Sequence, residues 1–246
     1  MISGELVAGV DLLCLDAGNC VIFCDHARVA RLCTGAGVAI DAQALVRTEG
    51  EAKQLQESGG LLDFEWPHMT APGARGWARM VGTFVVRAGF PRDEIADFTE
   101  SVLWPEHVKK NLYSVVPEGL GEALDAVRAR GVKVAIVSNS EGMLDRLFAD
   151  LGILRHFDTV VDSGKVGVEK PDPRIFRIAL DRFGVPAERA LMLGDTFVTD
   201  IAGARAAGMR AALVDLFGHM TGRHLDVPRV PGVVEVARAI AAARAS

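Results

Sequence analysis

The sequence is short of most features that would assign a function by composition alone. No window approaches the ~18 uninterrupted apolar residues of a membrane-spanning helix. The opening MISGELVAGVDLLCLD has no basic segment before its short apolar run, which soon meets Asp11. The chain is therefore expected to be cytoplasmic, with no membrane partner. An excess of basic charge is lacking too: 27 Lys and Arg stand against 32 Asp and Glu, a formal net charge of -5. That balance argues against an electrostatic nucleic-acid binder. Glycine and proline, at 26 and 10 residues, make up about 15% of the chain, below the roughly 25–30% of low-complexity sequence. Cysteine is scarce and unpatterned. Cys14, Cys20, Cys24 and Cys33 crowd together without a C-x-x-C pair, beside segments that read as buried. They are expected to be reduced core thiols rather than a disulfide framework or a metal site.

What is present is a chain of 246 residues, 50% of them hydrophobic, enough for a core domain with something added to it. Val10 to Leu15 is short, mostly apolar and followed by DAGN, which reads as a buried strand entering a turn. From Pro117 the pattern becomes regular. Leu120, Leu124 and Val127 share one helical face and stop at Gly131. VKVAIV is a strand ending at Ser138; Met143 to Leu151 is helical; Phe157 to Val161 is a strand. PDPRIFRIALDRFG, ALML, TDIAGARAAG and AALV then continue as helix, strand, short helix and strand. Such alternation predicts βαβ units and a parallel sheet covered on both faces.

A βαβ crossover needs only about 30 residues, whereas roughly 120 separate the first strand from the end of the second. The surplus contains helix-like stretches (Asp41 to Ser58, Trp77 to Ala88, Arg92 to Val102) and few strand-like runs. Residues 27–113 are therefore expected to form a helical domain inserted into a core made of 1–26 and 114–246. Its aromatic residues, among them Trp66, Trp77, Trp104 and His107, belong to the pool from which substrate contacts would come.

In open α/β sheets ligands bind outside the carboxyl ends of the strands. Four polar residues are placed there: Asp16 after LLCL, Ser138 after VAIV, Lys170 in VGVEKPDPRIF, and Asp195 in LMLGDTFVTD. These motifs, in this order, resemble those of the haloacid dehalogenase superfamily of aspartyl-nucleophile hydrolases, in the subgroup whose helical cap lies between the first and second core strands. KPDP followed within thirty residues by GDTxxxD is the specific part of the resemblance. It implies a doubly wound, Rossmann-like parallel α/β core with an inserted all-helical cap domain.

It also implies roles. Asp16 would be the nucleophile toward phosphorus, forming an aspartyl phosphate that water then hydrolyses. Ser138, the Asn139 backbone amide and Lys170 would bind the phosphate and offset its charge. Mg2+ would be held by Asp16, the backbone carbonyl of Gly18 and Asp195, with Asp200 binding a metal-bound water or holding Lys170. A helix-start carboxylate stabilised by the helix dipole is the plainer reading of Asp200. The expected partner is a small phosphorylated substrate, and the expected assembly a monomer or homodimer.

One position departs from the family. Its phosphatases usually carry a second Asp two residues after the nucleophile, as general acid and base; here that residue is Gly18. Asp25 and His26, in CDHAR, are candidate substitutes. A haloacid dehalogenase-type hydrolase, or a catalytically weak phosphometabolite-binding or interaction protein, stands as the alternative. Gly194 and Asp195 argue against the first, because dehalogenases proper place Ser and Asn there. The retained Asp16 argues against the second, since a binder has no need of a nucleophile.

Overall fold

The run LLCL has no polar face. In the computed structural model, which describes residues 2–245, it forms β1 (Leu12–Leu15), buried at every position. The other strands are β2 (Phe23–Cys24), β3 (Tyr113–Val115), β4 (Lys133–Ser138), β5 (Thr159–Asp162), β6 (Ala190–Gly194), β7 (Arg210–Val214) and β8 (Arg229–Val230). Six of them form one sheet in the order β5-β4-β1-β6-β7-β8, and β2 pairs with β3. Every pairing in the larger sheet is parallel. Leu13 lies opposite Val134 on one side and Leu191 on the other. The chain winds outward from β1 in both directions, which makes β1 the switch point of the sheet. This is the parallel α/β sheet that the alternation predicts, doubly wound as the family resemblance implies.

The connecting helices carry local signals that explain their ends. Helix Pro173–Phe183 is capped by the Asp172 side chain, which accepts the Arg174 N–H at 2.9 Å. Proline occupies its first turn, and it stops at Gly184 in the left-handed conformation, φ 62°. At the amino end of the sheet Asp11 accepts side-chain hydrogen bonds from Arg189 and Arg244, which ties the last helix, Val233–Ala243, to β1.

Some elements differ from expectation. The strand expected at Phe157 to Val161 begins at Thr159, because the turn Leu154–His156 takes up the residues before it. The short helix expected after Asp195 is π-helical over Phe197–Ala202 and α-helical only over Gly203–Ala206. Helix His26–Gly35, strand β8 and helix Val233–Ala243 lie outside the expected pattern.

The chain divides into two compact units. One contains the six-stranded sheet and runs up to Phe23, over Val115–Leu216 and from Gly222 onward. The other comprises Cys24–Ser114 and Phe217–Thr221. The second piece is there because Gly50 leaves room for it: a Cβ on Gly50 would lie 2.9 Å from Phe217 Cβ. Gln54 Nε2 also donates to the His219 carbonyl at 2.8 Å.

In this helical unit Val29, Leu45, Val81, Phe84 and Leu103 pack together. The Thr48 hydroxyl donates to Phe84 O at 2.8 Å, bridging helices Ala42–Glu57 and Ala74–Arg87. The tryptophans serve packing. Trp77 lies 4.5 Å from the His107 ring and Trp104 stacks on that ring at 5.4 Å, while Trp66 is buried against Phe64. His107 is 2% exposed, and its Nδ1 accepts the Leu112 N–H at 3.3 Å. Burial, assisted by the Arg28 charge, pushes its pKa down to about 3.

A base whose folded pKa is depressed contributes its stability above the unfolded value of 6.5 and loses it as pH falls toward the folded value. Urea unfolding at pH 7 and pH 4.5 should show His107 costing wild type roughly 2–3 kcal/mol at the lower pH. His107→Gln should lose most of that difference. An equal pH dependence in both proteins would mean that His107 is not held neutral.

Candidate active site

Parallel strands β1 and β6 end side by side, and each delivers a carboxylate: Asp16 follows Leu15, and Asp195 follows Gly194. Asp16 N–H donates to Leu193 O at 2.9 Å, so the pairing that builds the sheet also fixes the nucleophile candidate. Asp16, Asp195 and Asp200 are buried, and each offers a carboxylate oxygen within 4.8 Å of the others. Lys170 reaches in from the segment after β5. Its Nζ donates to Asp16 Oδ1 at 2.6 Å and to Asp200 Oδ1 at 2.5 Å.

Of the three buried carboxylates, two bond this one ammonium. Burial by itself would depress Lys170, but the Asp16 and Asp200 charges outweigh it and raise its pKa. Burial pushes Asp200 up to about 6; Lys170 opposes the rise, and Asp16 and Asp195 add to it. The neighbouring Cys20 thiol is driven well above its ordinary value by burial and by Asp195, Asp16 and Asp200. It is a protonated packing group, not a competing nucleophile.

Asp200 has both its oxygens engaged. Oδ1 accepts from Lys170, and Oδ2 accepts the Thr196 N–H at 2.9 Å. It sits in the π-helical turn Phe197–Ala202, a distortion of the helix that recurs at functional sites. Close approach of this turn to β6 is possible only because residue 194 is glycine: a Cβ there would lie 2.2 Å from Asp200 Cβ. Gly203 permits a similar approach in the next turn, where a Cβ would lie 2.8 Å from Phe176 and 3.0 Å from Pro171 backbone atoms.

Ser138 ends β4, buried, and its hydroxyl makes no hydrogen bond to the described residues. The Asn139 side chain holds the lysine's backbone, a role beyond its expected backbone amide. Its Oδ1 accepts the Lys170 N–H at 2.7 Å, and its Nδ2 donates to Lys170 O at 3.0 Å. This two-point clamp fixes the backbone from which the lysine projects. The loop beyond Asn139 is held by β5. Asp162 accepts the N–H groups of Gly142 and Leu144 at 3.0 and 3.1 Å, and the Ser163 hydroxyl accepts that of Ser140 at 3.0 Å.

Two further residues also lie outside the expected set. Asn19 takes a left-handed conformation, φ 56°, which asparagine tolerates better than most residues, and donates from Nδ2 to Asp195 Oδ2 at 3.2 Å. Thr196 Oγ1 donates to Asp195 Oδ1 at 3.1 Å. The signal for both was adjacency, as Asn19 closes DAGN and Thr196 follows GD.

Gly18 lies in the turn after β1, where a Cβ would meet nothing within 4 Å, and its φ is not positive. Nothing in the backbone demands glycine there. Of the candidate substitutes for the acid, Asp25 caps helix His26–Gly35 by accepting the Arg28 N–H at 2.8 Å, and His26 pairs with Glu49.

Residues 34–208 match the family described as haloacid dehalogenase-like hydrolase. A phosphoserine phosphatase of Thermus thermophilus is 36% identical over 163 residues, 63% of this chain and 64% of that protein. A glyceraldehyde 3-phosphate phosphatase of Methanothermobacter thermautotrophicus is 39% identical over 110 residues, 44% of this chain and 48% of that protein. The chain thus spans less than two thirds of the length of these relatives. The crystal structure of a dehalogenase superposes with a TM-score of 0.61 over 94% of this chain and 97% of its own, at 20% identity, a likeness of fold. No helix among the described residues is long and apolar enough to cross a membrane.

Overpacking a rigid core costs about 1–3 kcal/mol, and 1 kcal/mol moves Tm by roughly 2–4 °C in a chain of this size. Gly194→Ala should therefore lower Tm by roughly 2–12 °C, and Gly18→Ala by less than about 1 °C, in thermal unfolding followed by circular dichroism. Equal shifts would sink the account of both glycines.

Proposed function

Since this chain belongs to the haloacid dehalogenase-like hydrolases, we propose that it is a Mg2+-dependent phosphohydrolase that cleaves a small phosphate monoester through an aspartyl phosphate on Asp16. The observation that carries the reading is the buried set Asp16, Lys170, Asp200 and Asp195 at the carboxyl ends of β1 and β6. The names of the two relatives, phosphatases of phosphoserine and of glyceraldehyde 3-phosphate, agree with a small monoester as substrate.

The residues present suit a hard dication. Three buried carboxylates against one lysine leave a deficit of positive charge, and an all-oxygen donor set is what Mg2+ prefers. Asp16, the Gly18 carbonyl and Asp195 would hold it, with Asp200 in support through Lys170. When bound, the ion offsets charge on the phosphoryl oxygens.

The chain's own groups do the rest. Asp16 attacks phosphorus, and the bond to the leaving oxygen breaks; water then attacks the aspartyl phosphate and releases inorganic phosphate. Lys170 and Ser138 neutralise and orient the phosphoryl group, as preorganised donors do without reorganisation cost. The Asn139 clamp keeps Lys170 in place. With Gly18 where the family's phosphatases place an acid, protonation of the leaving oxygen has no dedicated group at that position, so turnover depends on how good the leaving group is.

Steady-state hydrolysis of an aryl phosphate and of alkyl phosphates, with Mg2+ and with chelator, tests this reading. Chelator should abolish turnover. Asp16→Asn should reduce it by at least ~10³-fold, and Lys170→Ala by about 10²–10³-fold. Residual turnover near wild type in Asp16→Asn would remove that residue from the mechanism.

A second expectation concerns the missing acid, which typically contributes ~10²–10⁴ in rate. Gly18→Asp should raise kcat/KM on alkyl phosphates by at least about 10-fold and leave aryl turnover within about 3-fold. No gain on alkyl substrates would show that the acid is supplied from elsewhere.

A further inference from the structure

Helix Ala42–Glu57 carries a charge where its packing calls for an apolar side chain. Its buried residues are Leu45, Thr48, Glu49, Gly50 and Ala52, and Glu49 is 0% exposed. Acidic side chains are almost never fully buried unless paired. Here Oε2 lies 2.6 Å from His26 Nε2, and Oε1 accepts the Tyr113 hydroxyl at 2.8 Å. Cys24, at the end of β2, completes the group: its Sγ, a His26 ring nitrogen and a Glu49 oxygen all lie within 4.8 Å of one another. Cys24 is buried, whereas the His26 side chain retains 14% exposure and offers a route in from solvent.

We propose that Cys24, His26 and Glu49 form a second metal site, in the helical unit, for a zinc-class transition-metal cation. The donor chemistry sets the class. One sulfur, one nitrogen and one carboxylate oxygen match the ligands of Zn2+ and Co2+, whereas Mg2+ takes oxygen. Three protein ligands leave a fourth position for water, on the side where His26 meets solvent. Bonds of about 2.0–2.3 Å in a tetrahedral site place ligand atoms roughly 3.3–3.8 Å apart. The observed spread therefore closes with a small movement, and the short contact between His26 and Glu49 opens to admit the ion.

Charge favours the same class. A dication with one thiolate and one carboxylate is neutral overall, the form of lowest cost in a buried site. Coordination sends the Cys24 thiol proton to solvent. Without the ion, burial, then the Glu49 and Asp25 charges, hold that thiol well above its ordinary value, a protonated group of no reactivity. Tyr113 on the second oxygen of Glu49 stands where outer-shell partners orient a metal-bound carboxylate. The Lys53 charge also favours the ionised form of Glu49. The site is independent of the phosphatase reading, because it shares no residue with the Asp16, Asp195 and Asp200 set.

Titration of the full chain with Co2+ in excess Mg2+ tests the proposal. One equivalent of Co2+ should produce a thiolate-to-cobalt charge-transfer band in the near ultraviolet together with intense tetrahedral bands in the visible, both removed by Zn2+. An all-oxygen site yields no charge-transfer band. Cys24→Ser should abolish that band, and Cys33→Ser and Asp16→Asn should retain it. Tyr113→Phe should weaken binding by about 10–100-fold. His26→Ala changes a partly exposed residue, keeps the test open if Cys24→Ser fails to fold, and should weaken binding by at least about 10-fold. Absence of the band at one equivalent, or its survival in Cys24→Ser, overturns the proposal.

Discussion

The Lys170 ammonium is the group on which the site depends. It is buried between Asp16 and Asp200, within hydrogen-bond distance of both, with Asp195 close by. Removing one partner of a buried pair leaves an uncompensated charge and typically costs 3–5 kcal/mol, far more than an exposed pair contributes. Much of the surrounding structure serves this constraint. Asn139 clamps the lysine's backbone, Gly194 lets Asp200 approach β6, and Gly203 lets the following turn pack against Pro171 and Phe176. Thr196 and Asn19 occupy the Asp195 oxygens.

The parallel sheet explains how residues so distant in sequence meet. Strands β1, β4 and β6 run the same way as neighbours, so the residues after them emerge at one edge, at the point where the winding reverses. Their interiors are buried on every residue of β1 and β6, and a scaffold of that kind keeps its strand ends in place. The polar loop after β4 needs separate support. Asp162 and Ser163 at the end of β5 supply it through backbone N–H groups.

The helical unit solves a different problem. It lacks a sheet of that size, and its apolar core around Phe84, Val81 and Leu103 is joined by buried polar groups, among them Thr48, which bonds to the Phe84 carbonyl, and Glu49, which His26 and Tyr113 bond. His107 remains neutral among tryptophans, and Glu49 remains charged because His26 and Tyr113 bond to it; those bonds outweigh the burial that would raise its pKa. Both are costly placements. The first is offset by ring stacking and the bond from the Leu112 N–H, and the second by the bonds from His26 and Tyr113.

The alternation of strands and helices and the parallel core were legible in the linear chain, because helical and strand periods are local. The chain also carried Asp16, Ser138 and Asp195 as polar residues where apolar runs end, and Lys170 and Asp200 through the spacing of KPDP and GDTxxxD. Other features arise only on folding. The two-residue strand β8 has no period to read, and it exists through pairing with β7. The return of Phe217–Thr221 to the helical unit rests on space left by Gly50, a feature of shape. The clamp from Asn139 to Lys170 joins residues far apart in the chain, as does the grouping of Cys24 and His26 with Glu49. Cysteines that look alike along the chain differ in the fold for that reason: Cys20 faces carboxylates and Cys24 faces an imidazole and a carboxylate. Proximity between distant residues leaves no periodic trace in a single sequence, and packing alone decides which of them meet.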